Sequence, residues 1–494
     1  MNKTFWIAFF LLLPTIKPAV AQDSLARQYD LFEIVDLALG RSPAALQAET
    51  RRENRYWQWR SFRSNYMPRV YLSGELPNFT RANEPITQED GTVEFRPVSQ
   101  NFSELNLFAT QSIGYSGTQI FLNSNIQRFD DFERNTTRYS GEPASIGVRQ
   151  PLFQYNNLKW DRLIEPLLFE ESKKGYKEDV EEIAIEATER YFDVLDAQVN
   201  QAIATKNLAN ADTIYQIAQG RYNLGTIPEN ELLQLELNLM QARQDVAQAE
   251  LDLETSTLRL KSFIGLNEEA DIVLALPNNI PGFEVDAQTA IQEAFKNQSD
   301  AVGFERRLRQ AESEVAQARG DNGLNIDIYA TYGLTNRSDD FTEIYNNPEN
   351  QSRVRVGFDI PILDWGRSRS RIKRAEANYQ LEQYTIEQER VNFEQRVFTQ
   401  VRTFDMLRDQ IEIAEVADDI ANRSYEIAKQ RFLIGKITIV ELNDALEKKD
   451  NSRRQYIQSL NDFWEAYYTL RLLTLYDFER NEALYMEEEP PAMK

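Results

Sequence analysis

The sequence predicts a mixed α/β membrane protein: a tandem duplicated unit whose long antiparallel helices build a coiled-coil wall and whose strands belong to a transmembrane β-barrel. Three observations predict it. Residues 218–232 align without a gap on 428–442, and the same offset of 210 carries 147–153 onto 357–363. One helix shows two adjacent apolar seams at 3- and 4-residue spacing. After the first 21 residues no apolar run approaches the roughly 18 to 20 residues of a spanning helix, so a membrane crossing would have to be a closed barrel of strands.

The duplication continues upstream at another offset. Ala38, Leu39, Ala45, Leu46 and Glu49 fall on Ala294, Phe295, Ala301, Val302 and Glu305, and Arg63 on Arg319, 256 residues on. The difference between 256 and 210 places 46 additional residues in the first copy, between Val70 and Gly147. Repetition at this scale marks one supersecondary unit used twice.

Composition sets the compartment. Residues 1–21 carry Lys3, an apolar run from Phe5 to Leu13 and the small-x-small end Ala19-Val20-Ala21, the pattern of a cleaved secretory leader. Losing its two lysines takes the formal charge from −23 to −25. That charge argues against nucleic acid and for cations or basic surfaces as partners. With no cysteine there is no disulfide, thiol chemistry or N-terminal lipid anchor. With no histidine, the commonest general base and metal ligand is missing. No enzyme, cofactor or metal site is expected.

Each copy reads as short helix, strands, very long helix, tight turn, medium helix. The first repeat spans 22–266, with helices at 31–65, 157–219 and 229–264 and β segments within 69–153. A connecting segment follows at 267–286. The second repeat spans 287–475, with helices at 287–320, 367–430 and 439–473 and β segments within 325–362. Residues 476–494 form a tail. The long helices, at 1.5 Å rise per residue, are about 95 Å long.

On the helix from Glu229 the seam Leu232, Leu235, Leu239, Ala242, Val246, Ala249, Leu253 strictly alternates spacings of 3 and 4. Leu233, Leu237, Met240, Ala247, Leu251 and Leu258 run one residue over. Two seams call for two neighbouring helices, hence a wall or tube. An ordinary bundle helix buried broadly on one side is the alternative, and the regularity of the seam favours the wall.

Strands alternate with period two at 70–76, 145–148, 326–332 and 354–358. Stretches 81–96 and 336–351 read as polar loops. Residues 110–121 read as an added hairpin turning near Ser116-Gly117, leaving four or six strands per chain. Neither number closes a spanning barrel alone, so oligomerisation is implied. Pro151 and Pro361 should end the returning strands, and Gly225 and Gly435 should cap the long helices in the left-handed conformation.

The junctions Gln150-Pro151-Leu152-Phe153 and Ile360-Pro361-Ile362-Leu363, the turns Arg221-Tyr222-Asn223-Leu224-Gly225-Thr226 and Arg431-Phe432-Leu433-Ile434-Gly435-Lys436, and their tandem order resemble the TolC family of outer-membrane channels over nearly the whole mature chain. The resemblance implies a homotrimer sharing one β-barrel in outer-membrane lipid and one α-helical barrel in the periplasm. It also implies a periplasmic adaptor (membrane fusion protein) and an inner-membrane RND or ABC transporter as partners, the chain being the exit duct of an efflux or type I secretion system. A periplasmic coiled-coil scaffold without channel activity is the alternative.

By that resemblance the turns carrying Arg221, Tyr222 and Gly225, and Arg431, Phe432 and Gly435, dock the adaptor. Glu441 and Asp444, with Glu231 as the counterpart of Glu441, match acidic positions at the pore entrance. The alternative for these acids is an ordinary role at a helix start. Arg221 and Arg431 equally suit adaptor contacts or bonds to helix-end carbonyls.

Overall fold

The structure is a computed structural model that describes residues 27–266, 272–277 and 279–484. The leader at 1–21, residues 267–271 and 278 of the connecting segment, and residues 485–494 of the tail lie outside the described residues. In the first repeat the elements are β1 (Arg27–Tyr29), α1 (Leu31–Arg41), α2 (Pro43–Ser64), β2 (Arg69–Glu75), β3 (Phe79–Thr87), β4 (Val93–Ile113), β5 (Thr118–Asp131), β6 (Thr136–Leu152), α3 (Asn157–Asn223) and α4 (Glu229–Ile264). Then follow β7 (Ile272–Leu274), α5 (Ala287–Asn297), α6 (Ser299–Asp321), β8 (Asn325–Ser338), β9 (Glu349–Asp359), α7 (Arg367–Leu433), α8 (Ile439–Thr474), β10 (Tyr476–Asp477) and β11 (Glu482–Ala483).

Two departures from the sequence reading have local causes. The short helix of each repeat is two helices. Ser42 caps α2, its Oγ accepting from the Ala45 N–H at 3.0 Å, and Pro43 fills the first helical position, where its missing N–H costs nothing. In the second repeat Gln298, 256 residues on, makes the same break in extended conformation. Second, 81–96 is a hairpin of β3 and β4 rather than a loop. It lacks the apolar alternation that marks a half-buried strand.

The chain divides into two compact units. One holds the described residues through Leu37 with Arg190–Ile280; the other holds Ala38–Glu189 and the chain from Pro281 onward. In the first, β1 pairs in parallel with β7. The Gln198 amide fastens β7 by bonding both the N–H and the C=O of Leu274, at 3.0 and 3.2 Å. Leu235, Leu239, Ala242, Ala249 and Leu260 of α4 are buried, whereas Leu233, Leu237, Met240, Leu251 and Leu258 are exposed. One seam is thus satisfied within the chain and the other is not.

The second unit contains the sheet and the α7–α8 hairpin. At 67 residues α7 is about 100 Å long. Its Phe393, Val397, Val401, Phe404 and Ile411 are buried, as are Leu460, Phe463 and Trp464 of α8. Phe283 and Phe463 stack against Phe404 at 5.4 and 5.1 Å. Arg471 of α8 reaches Glu181 of α3 through two bonds of 2.9 and 3.0 Å.

The sheet runs β2-β4-β5-β6-β8-β9, antiparallel throughout, with β3 also paired to β4. β2 and β3 lie along the same edge of β4, separated at Leu76-Pro77-Asn78, so the sheet has six staves. The added hairpin β4–β5 turns at 114–117, as the sequence indicates.

Candidate functional site

The register of the sheet sorts its side chains into two unlike faces. One carries Val70, Leu72, Leu107, Leu122, Ile146, Val354 and Val356, all exposed. The other carries Ser73, Glu104, Asn123, Arg149, Asp327 and Arg353, with Arg149 paired to Asp327 at 2.8 Å. Among polar neighbours on that face lies an aromatic row. Phe108 and Phe121 stack at 6.0 Å, and Phe121 and Tyr329 at 5.6 Å. Gly147 makes the row possible, since a Cβ there would lie 2.2 Å from the Phe121 ring. Among the described residues no strand covers the outer edge of β2 or of β9.

The helical turns are built alike, 210 residues apart. Gly225 has φ of 71° and Gly435 of 75°, the left-handed region that glycine adopts without strain. The Gly225 N–H donates to the Tyr222 carbonyl at 2.8 Å and the Thr226 N–H to the Arg221 carbonyl at 2.9 Å. The Gly435 N–H donates to Phe432 at 2.9 Å and the Lys436 N–H to Arg431 at 2.9 Å. This paired arrangement satisfies the last carbonyls of each long helix. It projects Leu224 and Ile434, exposed by 80% and 65%. Tyr222 is half-exposed, but Phe432 is buried.

The acids at the helix starts differ in their engagement. Glu441 closes a capping box with Thr438, accepting from its N–H at 2.8 Å while its own N–H donates to Thr438 Oγ1 at 3.3 Å. The bonds its carboxylate accepts from the Thr438 N–H and hydroxyl, with a smaller contribution from Arg431, hold it below the usual range. Asp444 accepts from Lys448 at 2.7 Å. Glu231 lies in the first turn of α4, its N–H donating to the Pro228 carbonyl at 3.2 Å. At the strand–helix junctions, Pro151 sits one residue inside the end of β6, and Pro361 two residues past β9.

An ionic cluster between α7 and α8, buried except at Arg453, is not marked by the apolar periodicity. Lys449 lies 3.0 Å from Asp450 and 4.6 Å from the centre of the Tyr425 ring, and Arg453 bonds Asp418 at 3.1 Å. Burial pushes the Tyr425 hydroxyl up to about 12. The usable signal was Lys449, seven residues after the buried Leu442, where the first repeat has Leu239. A charge in a heptad seam specifies pairing at some cost in stability. Among the described residues no cluster suits a metal ion, and no helix is long and apolar enough to cross a membrane.

A family model described as outer membrane efflux protein matches residues 34–266 and 290–474. No curated protein matches the chain. Similar solved structures include the Campylobacter jejuni CmeC outer membrane channel, at 16% identity and a TM-score of 0.65, covering 92% of this chain and 87% of that one. A membrane protein from Pseudomonas aeruginosa is similar at 15% identity and a TM-score of 0.63, covering 90% of each chain. The outer membrane protein VceC of Vibrio cholerae is similar at 13% identity and a TM-score of 0.59, covering 90% of this chain and 95% of that one. Identities this low carry the fold.

Proposed function

The chain belongs to the outer membrane efflux protein family, and from that premise we propose that it is the exit duct of a tripartite efflux or type I secretion system. Channels of this family act with adaptors and inner-membrane pumps and are generally trimeric. The observation that carries the reading is the sheet: six staves, an uncovered apolar face, a polar face and two open edges. In lipid an unpaired backbone edge costs several kcal/mol per group, so the edges must close. Three copies give eighteen staves, six from each. Barrels of about 16–18 strands leave an aqueous channel. The apolar face then meets outer-membrane lipid and the polar face lines the pore. A periplasmic scaffold has no use for such a face.

The exposed seams of α4 and of α7, the latter including Ile413, Val416, Ile420 and Ile427, supply helix contacts between copies. The turns at Arg221, Tyr222 and Gly225, and at Arg431, Phe432 and Gly435, serve as docking points for a periplasmic adaptor, with Leu224 and Ile434 as their apolar tips. Glu231, Glu441 and Asp444 contribute acidic rings to the periplasmic entrance, where negative charge favours cations. Its pump is an RND or ABC transporter.

Planar-bilayer recording tests the pore and its acids together. Wild type should conduct with cation preference, and Glu441→Gln combined with Asp444→Asn should weaken that preference. Unchanged selectivity removes the acids from the pore; absence of any conductance removes the duct.

A further inference from the structure

Inside one chain the two repeats meet where β6 pairs with β8, Gly147 opposite Thr331 and Pro151 opposite Asp327. Helices continue that junction. Tyr155, just past β6, shares a hydrogen bond of 2.7 Å with Ser313 of α6, and Arg306 of α6 grips Glu171 of α3. At the two ends of the sheet, β9 and β2 have no such neighbour among the described residues.

The repeat offsets hold in three dimensions. α3 starts at Asn157 and α7 at Arg367, 210 apart; β2 starts at Arg69 and β8 at Asn325, 256 apart. The ion pair between Arg51 and Asp179 recurs between Arg307 and Glu389, its two members displaced by 256 and 210. The same offsets carry β6 onto β9 and β8 onto β2, the two strands that end the sheet among the described residues.

We infer that β9 of one copy pairs with β2 of a second copy in the register of the internal junction, Gly357 opposite Glu75 and Asp359 opposite Ser73, and that Trp365 lies against Trp57 of the next copy. The inference rests on the channel reading and adds to it a defined contact.

Four features support it. Ser73, Glu75, Gly357 and Asp359 all belong to the polar face, so both faces run on unbroken across the contact; a slip of one residue would turn the apolar set inward. A slip of two keeps the faces but slides the attached helices by about 7 Å, losing the alignment of helix starts seen at the internal junction. Trp365 and Trp57 occupy the places of Tyr155 and Ser313, and within one chain they are 90% and 52% exposed. Two large rings left bare at corresponding places have the area to make a strong contact. Finally, Leu381 and Tyr384 of α7, 64% and 69% exposed, take the places of Glu171 and Lys174. In the first repeat those two bind Arg306 of α6 and the carbonyl of Lys296. Polar contacts inside the chain are thus replaced by apolar ones between copies.

The absence of native cysteine makes the test direct. Ser73→Cys with Asp359→Cys, in outer membranes under mild oxidant, should give covalent dimers and trimers, since directly opposed strand residues fall within disulfide reach. Tyr71→Cys with Asp359→Cys, displaced by two residues, should not. Linking of the displaced pair in place of the predicted one, or of neither pair in native oligomers, overturns the register while leaving the duct intact. A wild-type chain that is monomeric in the membrane overturns both. Thermal dissociation of the oligomer checks the tryptophans independently: the effects of Trp57→Ala and Trp365→Ala should be non-additive, and additive losses exclude the contact.

Discussion

Leu122 and Asn123 are adjacent on β5 and face opposite ways, so arginine at the two positions should have opposite consequences. Leu122 is 53% exposed in an apolar band with Ile120, Ile126 and Ile146. Asn123 lies on the polar face, its amide donating to Glu142 at 3.4 Å. Arginine on the lipid face near the bilayer centre costs about 2–4 kcal/mol, equivalent to a loss of roughly 30- to 1000-fold in the folding equilibrium at 1.4 kcal/mol per decade. Asn123→Arg should cost about 1 kcal/mol or less, because water fills the pore and Glu142 offers a counter-charge. Urea titration of folding into lipid vesicles, with outer-membrane yield as a second readout, measures both. Equal costs, or a larger cost at Asn123, would refute the assignment of faces.

Three further outcomes follow from the helical parts. Gly435→Ala should destabilise the α7–α8 turn by about 1 kcal/mol through the left-handed backbone alone, since nothing lies within 4 Å of the missing Cβ; local hydrogen exchange at the turn reads it. Arg471→Met should cost about 3 kcal/mol in denaturant, because Glu181, 2% exposed, loses its guanidinium. Tyr425 ionises near pH 10 when unfolded but at about 12 in the fold, so the folded state holds its proton longer. Its stabilising contribution is whole below pH 10 and is lost as the pH rises towards 12; a Tyr425→Phe variant should show a shallower decline in that window.

What was legible in the sequence follows from what each feature depends on. The long helices and their turns were, because the seam of α4 and the Gly225 and Gly435 caps are local patterns repeated twice. The breaks at Ser42 and Gln298 are hidden in the sequence by apolar periodicity that runs across them, although Ser42-Pro43 is a helix-start signal. The β3–β4 hairpin reads as loop in the sequence because it buries neither face, so no alternation marks it. The cluster of Lys449, Asp450, Asp418 and Arg453 depends on which residues of α7 meet α8, and spacing along one helix does not disclose that. Glu441 offers both readings in the sequence, an acid at the pore entrance and an ordinary helix-start acid, and its capping box with Thr438 realises the second.

The mass of the species extracted from outer membranes, measured by native mass spectrometry with lipid retained, bears most directly on the claim that this sheet becomes a pore only when copies close it. A trimer is the predicted result. A stable monomer holding the six-stave sheet in lipid would contradict it, since both edges would then have to remain unpaired in the membrane.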